Sequence, residues 1–375
     1  MLCRKAYVRS KCIFLGLITL TSCISYGIGI KGTFGSCFLK QNDTTSVVLQ
    51  GGDFRSGPRP AHFLVSIWEQ VSYEAKIISQ RCPEFIHYVV SVTSDRAEVH
   101  HKRNDLEKLT PPNTYATNST GDCAVIMVMQ SHQEGGPKMK PVVKVSVRGG
   151  WTVISASRAF PSPQARRISR VPKLLPHLFF PYTSKVLYSD IKLLETINNV
   201  PSILISEGLL SGGAHFGIVQ HPVTRDVTAE SDLILKTKNS PGGRPMIIAS
   251  EEALALQVEL LRTMLTEQEQ RSFGIEGQLF ARVLGNITSS SVFDLTWFEE
   301  YMIGSDRDQI AFYAAAARMK MKMFTKFSCG RFERAGRYTS AVVDNFILNI
   351  HCEFADFLSA GALERLTTST EPKIN

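Results

Sequence analysis

The sequence is short of the signatures that would assign it to a familiar catalytic class. It has no Gly-x-Ser-x-Gly elbow, no Walker phosphate loop and no His-Glu-x-x-His pair. Those absences leave the serine hydrolases, P-loop enzymes and zincins that such spacings mark poorly supported. No Cys-x-x-Cys or Cys/His spacing suggests zinc ligation, so no structural metal is expected. There is no internal repeat and no long low-complexity segment. Excess charge is scarce outside one short stretch. The formal net charge is +8, and Arg4, Lys5, Arg9 and Lys11 in the acid-free residues 1–11 supply four of it, leaving +4 for the rest. A nucleic-acid partner calls for a concentrated basic face on a recognisable module, and neither is visible, so no nucleic acid is expected.

What is present begins with that basic tail. Cys12 to Ile30 follow it, 19 residues without a charge, closed by Lys31. A bilayer span takes about 20 apolar residues. The basic flank on its N-terminal side would leave residues 1–11 in the cytosol and the rest in the lumen. The rival reading is a cleaved signal peptide with small residues at the cut, for which Ser22, Ser25 and Gly27 would serve. Length favours an anchor through which the chain meets the membrane. Either reading sends the remainder through the secretory pathway. The sequons at Asn42, Asn118 and Asn286 suit that destination. Cysteines at 37, 82, 123, 329 and 352 would lie in the lumen, where disulfides persist. Five is an odd number, so at least one thiol is free or pairs between chains.

Residues 31–60, rich in Gly, Ser, Thr and Pro, read as a stem with little core. Phe63–Ile67 reads as a strand, Tyr73–Gln80 as a helix and Ile86–Val92 as a strand with Thr93, Ser94 and Asp95 at its end. That order is a βαβ-type opening with a parallel sheet. After a polar stretch over 97–121, strands are expected at Cys123–Met129, Val142–Val147 and Trp151–Ser155, with a polar connector over 131–140. Gly208 to Gly217 reads as a flexible loop, and Gly217–Val219 as a strand ending at His221. Glu251–Gln270 is an amphipathic helix with Leu254, Val258, Leu261 and Leu265 on its core face. Ser305 with Asp308 fits a capping box ahead of a helix over Gln309–Lys322. Tyr338–Leu366 reads as a terminal amphipathic helix.

The stretch from Arg166 to Glu195 organises the chain. It reads as a basic segment, an apolar run, a turn at Pro181, Thr183 and Ser184, and a buried strand over Lys185–Tyr188. The strand leads into Asp190, with Lys192 two residues on. Ligands of open α/β sheets bind outside the carboxyl ends of strands, so an acid there is a candidate site residue; otherwise it caps a turn. Arg158, Arg166, Arg167, Arg170 and Lys173 precede the strand, and a diphosphate needs such charge. His177, after a proline and among apolar residues, fits a satisfied core histidine by pattern.

The run Arg170-Val171-Pro172-Lys173-Leu174-Leu175-Pro176-His177, with Asp190-Ile191-Lys192, resembles the core of the TOD1/MUCI70 glycosyltransferase-like family. A second block agrees in order and type: Trp297-Phe298-Glu299-Glu300, then Ser305-Asp306-Arg307-Asp308-Gln309. A weaker third is His221-Pro222 with Arg225 and Glu230. Together they span roughly residues 60–315. The resemblance implies a GT-A-like nucleotide-sugar-binding α/β fold over 61–330; beyond it the residues themselves read as a helical extension over 331–375. It implies transfer of a sugar from a nucleotide-sugar donor to a glycan or related acceptor, on the luminal side of the Golgi or endoplasmic reticulum membrane. If the N-terminal segment is cleaved, the protein would be secreted.

The resemblance also singles out residues. Arg170, Lys173, His177, Lys192, His221, Arg307 and Gln309 become candidates for substrate or nucleotide binding, and Asp308, Glu300 and Asp190 for catalysis, with Glu299 an alternative base. Two departures stand out. The family's Gly-x-Tyr-Asp element is replaced by Trp68-Glu69-Gln70-Val71-Ser72-Tyr73-Glu74. The Asp-x-Asp with which many GT-A enzymes hold a metal is replaced by Asp190-Ile191-Lys192. Asp190 is then the candidate ligand for Mn2+ or Mg2+, while Lys192 could itself offset diphosphate charge. Two alternatives remain: a non-catalytic luminal carbohydrate-binding or scaffold protein, and a ceramide-type lipid hydrolase, as in one branch of the family.

Overall fold

The computed structural model describes residues 61–93, 122–132, 142–161, 165–197, 200–220, 229–232, 251–266, 275–285, 288–303, 307–319, 322–323, 338–343 and 346–351. Apart from Ala61 they belong to a single unit, His62–Asn375. The N-terminal tail, the uncharged run and the three sequons' asparagines lie outside the described residues, as do Ser94, Asp95 and the loop that holds His221. Among the described residues no helix is long and apolar enough to cross a membrane.

The first described element overturns the expected strand at Phe63–Ile67, because α1 runs unbroken from Ala61 to Arg81. Short apolar runs do not distinguish strand from helix. What decides here is the spacing of Val71, Ala75, Ile78 and Cys82, all buried, which is the spacing of one helical face. The strands β1 (Phe85–Thr93), β2 (Asp122–His132), β3 (Val142–Arg148) and β4 (Trp151–Pro161) then appear as their β-branched runs lead one to expect. A disulfide between Cys82 and Cys123, with Cα atoms 5.8 Å apart, ties the end of α1 to the start of β2.

The basic segment is helical. It forms α2 (Ala165–Leu174), which carries Pro172 in its last turn and ends two residues later. Pro176 opens the short helix α3 (Pro176–Phe179). Strand β5 (Lys185–Ser189) follows, buried from Val186 onward. A 3-10 turn over Ile191–Leu193 and the short α4 (Leu194–Ile197) lead to α5 (Ser202–Leu209). The stretch expected as a flexible loop at 208–217 is therefore ordered. It contains the end of α5, a 3-10 turn over Ser211–Gly213 with Gly212 at φ 67°, and the start of β6 (Phe216–Gln220). Gly217 belongs there because a Cβ would sit 2.1 Å from the Leu209 carbonyl oxygen.

Helix α6 (Glu251–Met264) is shorter than expected, and it buries the expected face of Leu254, Val258, Leu261 and Leu265. Strand β7 (Ile275–Val283) has no counterpart among the expected elements, since Glu276, Gly277, Gln278 and Arg282 interrupt its apolar run. Helices α7 (Thr288–Ile303) and α8 (Asp308–Arg318) precede β8 (Lys322–Met323). The N-cap of α8 is Arg307 with no side-chain cap, so the capping box expected at Ser305 and Asp308 does not start this helix. The expected terminal helix is replaced over part of its length by two antiparallel strands, β9 (Tyr338–Val343) and β10 (Phe346–His351). Their β-branched and aromatic content favours a pleated, buried setting.

The ten strands form one mixed sheet in the order β3-β4-β2-β1-β5-β7-β6-β10-β9-β8. Neighbours β4, β2, β1 and β5 are parallel, β7 is antiparallel to both β5 and β6, and β10 is parallel to β6. From β1 the chain builds outward to β2 and β4, then returns to place β5 on the other side of β1. That reversal is a topological switch point, and the crevice outside the carboxyl ends of such strands is where ligands of open α/β sheets bind.

Candidate functional site

Ser189 ends β5 beside the switch point, and the carboxylate of Asp190 follows at once. The Asp190 amide donates to the Gln278 carbonyl at 2.8 Å, which pins the strand end to β7. Its carboxylate makes no cap bond to the following 3-10 turn. Instead Oδ1 accepts from the Tyr188 hydroxyl at 2.5 Å. Tyr188 is fully buried and stacks on Phe280 with ring centroids 4.8 Å apart. Burial, followed by the neighbouring Asp190 charge, pushes the Tyr188 phenol well above its ordinary range, so it stays a donor.

Helix α2 brings two cations to this strand end. Arg170 and Lys173 are three residues apart and share a helix face. The Tyr88 hydroxyl on β1 donates to the Lys173 carbonyl at 3.2 Å and fixes the last turn of the helix. The Lys173 ammonium is fully buried. It donates to Asp308 Oδ2 and lies 4.9 Å from the centroid of the Tyr188 ring. Arg170 keeps part of its side chain exposed, with Nε 3.9 Å from the same Asp308 oxygen. Both cations feel the Asp190 charge as well.

Asp308 opens α8, where the helix dipole favours an acid. Its carbonyl accepts from the Trp297 indole at 2.8 Å, so the tryptophan of the second motif block secures the helix start. Burial alone would raise the Asp308 carboxyl. Lys173 and Arg170 outweigh it and hold the group far below the usual carboxylate range. The fit is close on the β7 side too. A Cβ on Gly277 would stand 3.1 Å from Asp308 Oδ2 and 3.2 Å from Lys173 Nζ, tighter than most real contacts.

Arg307 turns away from this cluster. Its Nε and Nη2 donate to Glu230 Oε1 at 3.0 and 2.7 Å. Residues of all three motif blocks are therefore joined by ion pairs: Arg170 and Lys173 with Asp308, and Arg307 with Glu230. Gln309 sits one residue into α8, and its Oε1 is buried without a hydrogen-bond partner among the described residues. Lys192 is exposed on the 3-10 turn next to Asp190.

Three expected residues lie elsewhere. Glu300 and Glu299 bind Arg318 at 2.8 and 3.0 Å, at the far end of α8. Ten residues of helix put that pairing about 15 Å from Asp308. Gln257 on α6 donates to Glu300 as well, so Glu300 is a helix-to-helix fastening. His177 Nδ1 is 3.2 Å from Asp294 Oδ2, and Asp294 in turn pairs with Arg282, fully buried against Phe216, Phe280 and Trp297. Arg282 pairs in the sheet with Val186, towards the start of β5 and away from Asp190.

Sequence reasoning overlooked Tyr188, Gly277 and Trp297 as site residues. Tyr188 read only as strand filling, although its place two residues before Asp190 was visible. The strand that carries Gly277 was not visible.

Among the described residues no three His, Cys, Asp or Glu side chains converge as a metal site would require. Asp190 has one carboxylate oxygen committed to Tyr188 and stands in the field of two cations. This donor set does not suit a divalent ion, which seeks several oxygens and an excess of negative charge.

Fold and strand-end cluster together define an α/β protein with a switch-point site lined by charge of both signs. The sequence pattern of the TOD1/MUCI70, glycosyltransferase-like domain matches residues 101–342, and the chain belongs to that family. The match begins later than the expected span of roughly 60–315 and extends beyond it, through β9 as far as Val342. No curated protein matches the chain.

Proposed function

We propose that the protein is a glycosyltransferase that takes a sugar from a nucleotide-sugar donor and passes it to a glycan acceptor. The observation that carries this reading is the meeting of Arg170, Lys173 and Asp308, from separate motif blocks, beside Asp190 at the switch point. Arg170 offers a guanidinium fork to the donor's diphosphate. Asp190, half-buried and with Oδ2 outside its bond to Tyr188, is the group best suited to a sugar or acceptor hydroxyl, as ligand or base. A general base works best with a pKa near the working pH, so the depressed Asp308 is assigned to anchoring Lys173 and Arg170.

A GT-A-like fold is consistent with the parallel β4-β2-β1-β5 block and the antiparallel β7 beside it. A luminal, Golgi-type setting is supported by the Cys82–Cys123 disulfide, since such bonds persist in oxidising compartments. The uncharged run at 12–30 supports a membrane anchor.

Thermal unfolding against a panel of nucleotide sugars tests the donor site. One donor at about 100 times its dissociation constant should add roughly 2.7 kcal/mol to the folded state. The shift should disappear in Asp190→Ala. A panel without any shift would remove the basis of the proposal.

A further inference from the structure

We infer that the donor's diphosphate is met by Arg170, backed by the fixed charge of Lys173, and that its binding needs no divalent cation. The inference rests on the donor-site reading above and concerns how that site handles charge.

The carboxylates come first. Among the described residues Asp190 and Asp308 are each faced by Arg170 and Lys173, with Lys192 next to Asp190 and Arg307 next to Asp308, so the acids are matched by cations before any ligand arrives. A site built for magnesium or manganese would carry surplus negative charge and free carboxylate oxygens. Here Asp308 Oδ2 is shared between Lys173 and Arg170, and Asp190 Oδ1 holds the Tyr188 hydroxyl. A dication placed at Asp190 would also face the charges of Arg170 and Lys173.

The cations complete the argument. The one ion pair of Arg170 among the described residues is the 3.9 Å approach to Asp308, and its side chain is 22% exposed. Guanidinium carries five N–H donors, and no hydrogen bond within the described residues occupies those of Arg170, which leaves them for a ligand. Lys173 has no such access at 1% exposure. It is a positioning residue, held by Asp308 and the Tyr188 ring, whose charge lies behind the Arg170 fork. Together they supply two positive charges where many related folds place a metal, in the way cationic clamps stabilise transferring phosphoryl groups.

The test is calorimetric titration of the full chain with uridine, guanosine and adenosine diphosphates, in EDTA and again in excess Mn2+. The diphosphate that binds should do so with dissociation constants agreeing within about threefold in the two conditions. Arg170→Gln, on a partly exposed side chain, should keep its fold and weaken that binding about 10- to 100-fold in EDTA. Binding that appears only with Mn2+, or an Arg170→Gln protein that binds as well as wild type, overturns the inference and leaves the donor site standing. Failure of all three diphosphates in both conditions overturns the donor-site reading together with the inference.

Discussion

Asp308 is a carboxylate with a buried ammonium on one side and a guanidinium on the other, and this makes it an anchor. Removing one member of a buried ion pair strands the other, at about 3–5 kcal/mol. Asp308→Ala should therefore lower the unfolding free energy by about that much. Replacing both partners, Lys173→Met with Asp308→Leu, should cost less than the single change, because the buried ammonium leaves with its carboxylate and only the partly exposed Arg170 loses an ion pair. A double variant less stable than Asp308→Ala in denaturant titrations would show that the pair is not the source of the loss. Gly277→Ala is subtler. The new methyl would press on Asp308 and Lys173 at 3.1–3.2 Å, and overpacking of this kind costs about 1–3 kcal/mol. An unchanged denaturation midpoint would mean that the cluster yields freely.

Two histidines set the response to acid. His87 is buried between Ser189 and Ser202, at 2.7 and 2.9 Å, and burial pulls it down to about 3. His351 is likewise pulled down by burial, to about 4. Unfolded, each takes up a proton near pH 6.5. The unfolded state therefore binds more protons as pH falls below that value, and the native state loses ground until about pH 4 for His351 and 3 for His87. The slope is about 1.4 kcal/mol per pH unit per histidine. Urea midpoints should fall steadily from pH 6.5 to 5, and His87→Gln should flatten the decline. A flat profile over that interval would contradict the buried, neutral assignment.

Among the elements, the Cys82–Cys123 bridge joins α1 to β2 across 41 residues of sequence. Loop-closure reasoning gives it a worth of about 2–4 kcal/mol, so a Cys82→Ser, Cys123→Ser double variant should melt earlier by that measure. An equal melting temperature under non-reducing conditions would argue against the bridge. The elements also show what the sequence made legible. Strands β1, β2 and β5 were readable because both their faces are largely buried, which leaves near-continuous apolar runs. Strand β7 was not, since Gly277 serves close approach and Arg282 serves a buried pair with Asp294, two tertiary purposes that break the pattern. The strand expected inside α1 was misread because Phe63–Ile67 is too short to show a period. Helix α2 was readable in hindsight from the spacing of Arg166, Arg170 and Lys173, but Pro172 argued against it. Of the site, motif resemblance brought out Arg170, Lys173, Asp190 and Asp308. It could not show that Glu300 belongs to Arg318 and His177 to Asp294, because partners more than 15 residues apart in sequence are a property of the fold.

For the molecule as a whole, the claim is that a mixed sheet with its switch point beside β5 presents a donor site, and that the family's separated motifs exist to furnish it. The direct measurement is turnover: release of nucleoside diphosphate by the full chain from a panel of nucleotide sugars, with and without a glycan acceptor mixture. The account predicts that one donor is consumed faster when acceptor is present, and that Arg170→Gln and Asp190→Ala abolish this acceptor-dependent rate. A donor that binds and is never consumed would contradict it and favour a carbohydrate-binding or scaffold role.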